Sequence, residues 1–207
     1  QAGENLTSGS NNNFFGTYAG EQTTTGSYNV SMGYEALEEN TTGSSNVALG
    51  HKALANSTTS YLTAVGGMAL EANTTGSGNT GLGFRTLYTN TTGSSCVAVG
   101  YDALYTNNGN YNVAVGMNAL YTNSTSSNNT AVGYLALQLC TAGNNTGIGY
   151  KALQNTSTGA DNTALGTGAA VTNTTGDKNT ALGKDALNQN STADLNVAIG
   201  FQALYQN

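Results

Sequence analysis

The nine residues Asn46-Val47-Ala48-Leu49-Gly50-His51-Lys52-Ala53-Leu54 return with small changes from one end of the chain to the other. Their central glycines are Gly16, Gly33, Gly50, Gly66, Gly83, Gly100, Gly116, Gly133, Gly149, Gly166, Gly183 and Gly200, spaced 17, 17, 16, 17, 17, 16, 17, 16, 17, 17 and 17 residues apart. Strict phase over 207 residues marks a repeat architecture. No stretch is left over for a second unit, so residues 1–207 read as one repeat domain.

Each unit predicts two short extended segments separated by two corners. The first precedes the glycine, as in Asn46 to Leu49; the second follows it and carries Ala53-Leu54. Val, Ile and Thr favour extended backbone. One corner has the form Asn-Thr-Thr-Gly, at 40–43, 73–76, 90–93 and 173–176. There Asn can bond its own backbone, and Gly can supply positive φ. The period is too short for repeats that contain helices, and no apolar spacing of 3.6 persists. The expected fold is all-β: a parallel β-solenoid or β-roll of about twelve coils of 16–17 residues.

A single coil cannot hold itself together. Its few large apolar side chains contribute roughly 3–6 kcal/mol, while ordering its backbone costs about 1–2 kcal/mol per residue. Stacking must supply the remainder. Three columns follow from the phase: leucines including Leu54, Leu70, Leu104, Leu120 and Leu153; alanines including Ala53 and Ala103; and asparagines including Asn46, Asn79, Asn112, Asn162 and Asn179. Stacked Asn amides can bond from layer to layer. Adjacent Ala and Leu would point to opposite faces of a strand. Leu and Val are therefore expected to fill each coil, with the alanine side packed against other copies in a homotrimer or fibre.

Composition excludes several functions. The chain has 28 Gly, no Pro, no Trp and 16 charged residues, and a net charge of −6. Nucleic acid and anionic membrane surfaces both require clustered Lys and Arg. No apolar run approaches the roughly 18 residues of a membrane span, so no membrane insertion is expected, and no signal-peptide pattern opens the sequence. Two cysteines are too few for a disulfide scaffold.

The units Asn145 to Leu153 and Asn196 to Leu204 resemble the shaft repeats of tail-fibre-domain proteins from bacteriophages and bacterial surfaces. They are also similar to the head repeats of trimeric autotransporter adhesins. The resemblance covers essentially the whole chain and implies a left-handed trimeric β-roll in an extracellular, cell-surface or virion fibre. The sequence lacks the chaperone domain, coiled-coil stalk and membrane anchor of those families. Gln1 to Asn5 falls in phase with Gln202 to Asn207, and neither stretch carries a polar cap. Exposed strand edges there would suit either a segment of a longer fibre or head-to-tail stacking into a filament.

Catalytic candidates are sparse. His51 is the only histidine and has no Cys, Asp or Glu cluster in register. No calcium-binding Gly-Gly-x-Gly-x-Asp, phosphate loop or nucleophile elbow occurs. Neither a cofactor nor a metal is expected. Cys96 and Cys140 are two coils apart, too far for a bridge within one chain. Tyr34, Phe84, Tyr101, Tyr134 and Tyr150 form an aromatic column suited to stacking on cell-surface glycans or to packing between chains. Asn40, Asn73, Asn90, Asn123, Asn173 and Asn190 each begin an Asn-x-Ser/Thr acceptor for N-glycosylation. The thread is a non-enzymatic fibre shaft, with a glycan-recognising tail-fibre segment as the alternative.

Overall fold

The computed structural model describes residues 1–206. Asn207, the last residue of the end-to-end phase match, lies outside them. Twelve three-residue strands run from β1 (Asn13–Phe15) to β12 (Val197–Ile199). They form one parallel sheet whose spatial order is the chain order. Successive coils pair in register, as in Val47↔Thr63, Ala48↔Ala64 and Leu49↔Val65. The result is a β-solenoid with no helix among the described residues.

Each strand stops at the central glycine. Those glycines have φ between 123° and 142°, a range that residues with a side chain rarely adopt. A Cβ on Gly116 would also stand 2.5 Å from the Gly133 carbonyl oxygen in the next coil. Backbone angle and close approach thus demand glycine together.

The second expected strand is absent. The Ala-Leu segment forms turns, and its leucines, from Leu37 to Leu204, have φ between 47° and 57°. Left-handed backbone costs a non-glycine residue about 1–3 kcal/mol. Burying the leucine side chain returns a similar amount, about 1.5–3 kcal/mol. The turn still ladders with its neighbour: Leu54 N–H donates to the Ala69 carbonyl at 3.0 Å, and Leu87 N–H to Ala103 at 3.1 Å. Hydrogen bonding between coils therefore continues round the corner without strand geometry.

The column leucines fill the coil as expected, but in the strands the expected division between inside and outside is reversed. Ala48, Ala64, Ala98, Ala114, Ala131 and Ala164 at the strand centres are fully buried, as are Ala53, Ala69 and Ala103 beside the leucines. The strand residues flanking each central alanine, such as Val97, Val115 and Leu165, point outward. A coil of 16–17 residues encloses a narrow section. Leu fills it from the turn, so the inward strand position has room only for a small residue. Two coils show the same accounting through exchanges. In the first, Phe14 takes the inward position and Gly20 replaces the leucine; a Cβ on Gly20 would lie 2.6 Å from the Phe14 ring. In another, Gly81 accompanies Thr86, which stands where other coils have alanine.

Two asparagine columns line the interior. In the first, the residue before the strand is asparagine in ten coils, with Leu62 and Cys96 in the other two; the asparagine accepts through Oδ1 from the backbone of the next coil and donates through Nδ2 to that coil's corner carbonyl. Asn29, for example, accepts from Asn46 N–H at 3.0 Å and donates to Gly43 O at 2.9 Å. Side chain to backbone is the main pattern here, rather than the amide-to-amide stacking expected. That stacking appears in the second column, where Asn90, Asn107 and Asn123 each donate to the Oδ1 of the preceding coil's asparagine at 3.0, 3.1 and 2.7 Å.

The Asn-Thr-Thr-Gly corner gathers three N–H groups onto one carbonyl. Thr24, Thr25 and Gly26 all donate to Thr41 O, at 2.9, 3.2 and 3.4 Å. Glycine stands at this corner for space, since a Cβ on Gly43 would run into the Thr59 carbonyl; positive φ is not required. Three coils are one residue shorter at this corner. In one of them Asn108 Oδ1 takes over as acceptor from Thr91 N–H at 2.8 Å and Thr92 N–H at 3.1 Å.

Candidate functional site

Two surfaces stand out. The first is the outer face of the sheet. Because the inward position of each strand is its middle residue, the first and third residues face out as two parallel columns. The first column is Val or Thr in eleven coils, with Asn13 in the other; the second runs Phe15, Met32, Leu49, Val65, Leu82, Val99, Val115, Val132, Ile148, Leu165, Leu182 and Ile199. No charged residue occurs in either column. Val and Thr have the same shape, so the first column keeps its contour while its polarity varies.

The second surface is aromatic. The residue after each central glycine turns away from the core, leaving Tyr34, Phe84, Tyr101, Tyr134 and Tyr150 exposed as expected. They stack along the axis: Tyr34 on His51 at 5.8 Å, Phe84 on Tyr101 at 5.5 Å and Tyr134 on Tyr150 at 5.6 Å between ring centres. A sugar stacks on a ring face, and within these pairs the facing sides are covered. Four residues further along each coil lies a second aromatic column. In it Tyr88, Tyr105 and Tyr121 stack at 5.2 and 5.0 Å.

Arg85 ties the two aromatic columns together. Its guanidinium lies 5.2 Å from the Phe84 ring, 5.6 Å from Tyr101 and 5.1 Å from Tyr105. It donates bidentately to Asp102 of the next coil, at 2.9 and 2.6 Å. That pairing pushes the Arg85 pKa further above its already high value, so the group is a permanent cation clamped between rings. A looser set sits near the first coils. Glu35 accepts from the Tyr34 hydroxyl and faces Lys52 at 3.4 Å. The Glu35 carboxyl is held below its ordinary range by those partners, and Tyr34 and Lys52 are held above theirs.

The remaining predicted residues lie in the core. Leu54, Leu70, Leu104, Leu120 and Leu153 are fully buried, and Asn46, Asn79, Asn112, Asn162 and Asn179 form the first amide column. The N-glycosylation expectation is overturned. Asn40, Asn73, Asn90, Asn123, Asn173 and Asn190 are fully buried, with Nδ2 donating to a corner carbonyl, as Asn40 does to Gly43 O at 3.0 Å and Asn173 to Gly176 O at 3.0 Å. A glycan on that nitrogen would have to occupy the inside of the coil. The sequence held the signal: Asn107 keeps the column although Asn107-Asn108-Gly109 is not an acceptor.

Cys96 and Cys140 are free and buried, one in each asparagine column. Burial pushes both thiols above their ordinary pKa, which keeps them protonated and unreactive at neutral pH. Among the described residues no three His, Cys, Asp or Glu side chains gather to hold a metal, and no helix is long and apolar enough to cross a membrane. No family model, curated protein or solved structure matches the chain.

Proposed function

We propose that this chain is a non-enzymatic shaft of an extracellular or virion fibre whose copies bundle through the outer face of the sheet. The observation that carries this is the pair of uncharged outward columns running unbroken through twelve coils. Exposed apolar patches of more than a few hundred Å² are rare on monomers and mark contact surfaces. Twelve rungs at about 4.8 Å, across a face roughly 10 Å wide, give about 550 Å² per copy. The adjoining aromatic column of Tyr34, Phe84, Tyr101, Tyr134 and Tyr150 brings this towards the ~800 Å² per partner of a stable interface. The occupant with matching contour and no charge to bury is a second copy in axial register. Resemblance to trimeric shafts sets the expected number at three.

Sedimentation equilibrium of the purified chain tests this reading. The wild type is expected at three times the chain mass. The double variant Val115→Lys, Leu165→Lys is expected to sediment as a monomer with an unchanged β-type circular dichroism spectrum. A wild-type chain that remains monomeric at high micromolar concentration defeats the proposal.

A further inference from the structure

We propose that Tyr105 and Tyr121 form an oxidative modification site, at which a dityrosine bond staples adjacent coils within one chain. Of the stacked tyrosine pairs, this one has the smallest separation, 5.0 Å between ring centres, and the most parallel planes, at 11°. Both tyrosines are held by backbone contacts. The Tyr105 carbonyl accepts from Thr89 N–H at 3.1 Å and from its hydroxyl at 3.2 Å; the Tyr121 carbonyl accepts from Thr106 N–H at 3.1 Å and from its hydroxyl at 2.9 Å. Tyr88 stacks on the other side of Tyr105, and Arg85 lies against the same ring. The rings thus meet in a fixed register, half-buried yet reachable from solvent.

The chemistry needs an electron acceptor, here hydrogen peroxide used by a haem peroxidase. Each phenol gives up one electron and one proton. The two phenoxyl radicals join through ring carbons ortho to their oxygens. One hydrogen on each joined carbon then moves to oxygen, restoring both aromatic rings. In total two hydrogen atoms leave the protein, and one peroxide becomes two waters. Coupling between free radicals is limited by encounter; stacked partners meet at very high effective concentration. Tyr28, Tyr61 and Tyr111 are isolated and 63%, 73% and 65% exposed, so they can couple only between molecules. The buried thiols of Cys96 and Cys140 are shielded from the same oxidant.

The test treats the dilute, folded 207-residue chain with peroxidase and limiting peroxide. The readouts are dityrosine fluorescence, the mass of the single chain and peptide mapping of the link. The expected product is a chain lighter by two hydrogens, linked Tyr105 to Tyr121. Tyr105→Phe keeps the ring stack but removes the phenol, and should lower the yield of intrachain links mapped to Tyr121 at least about tenfold, links between the stacked Tyr134 and Tyr150 being scored separately. Tyr111→Phe should leave that yield unchanged. Three results would overturn the site: links mapping only to the exposed tyrosines, a yield unaffected by Tyr105→Phe, or an equal yield from urea-unfolded chain. None of these outcomes depends on whether copies bundle through the sheet face.

Discussion

At single positions, the interior of this molecule is a set of columns in which each member serves the coil that follows. Cys96 interrupts the first amide column. Its Sγ lies 3.3 Å from Gly109 O, the carbonyl an asparagine amide would reach, and it receives Asn112 N–H only as a weak sulfur acceptor. Cys96→Asn should restore both bonds. The expected gain is about 1 kcal/mol, seen as a higher midpoint in thermal unfolding. Gly133 makes the opposite case. Its φ is 135°, and a Cβ there would run into the Gly149 carbonyl. Gly133→Ala is expected to cost about 2–4 kcal/mol, with a lowered melting midpoint as the measurement. An alanine that melts like wild type would show that the glycine column is not a spatial requirement.

Taken coil by coil, the strands and the place of the Asn-Thr-Thr-Gly corner were legible, and the Ala-Leu turn was not. Phase marked every strand and β-branched residues marked all but β1 (Asn13–Phe15), because Val and Thr beside a regularly spaced glycine admit few other readings. The Ala-Leu segment looked extended because leucine in left-handed backbone is a poor local choice, sustained only by its burial in the stack. Asn-Thr-Thr was ambiguous among turn, glycan acceptor and core, since Asn serves all three. The face that points outward was misassigned because sequence alternation cannot show how little room a coil of this size encloses. The Phe14–Gly20 exchange tests that packing account directly. Gly20→Leu alone should clash with the Phe14 ring, and Phe14→Ala alone should leave a void. The double variant rebuilds the pattern of the other coils and should return close to wild-type stability. A double-mutant cycle from denaturant melts should yield about 1–3 kcal/mol of favourable coupling. Simple additivity of the two losses would refute the exchange.

Over the length of the molecule, strand contacts join each coil only to its immediate neighbours, so stability should behave as a sum of coil and nearest-neighbour terms. Removing residues 150–166 joins Gly149 to Thr167 without changing phase. The leucine of the preceding coil, Leu137, then meets Ala169 and Ala170 in place of Ala152 and Leu153; the first amide column runs on from Asn145 to Asn179, and in the second Cys140 meets Asn173 in place of Thr156. That deletion is expected to give the same sheet with one strand fewer, a rod shorter by about 4.8 Å and a slightly lower melting midpoint. Removing only residues 150–157 deletes half a coil. It sets buried asparagines against alanines, and the orphaned amides then have neither carbonyl nor water to meet. Scattering and circular dichroism of the two deletions separate the cases. Equal damage from both would mean that the coils depend on the whole rod rather than on their neighbours.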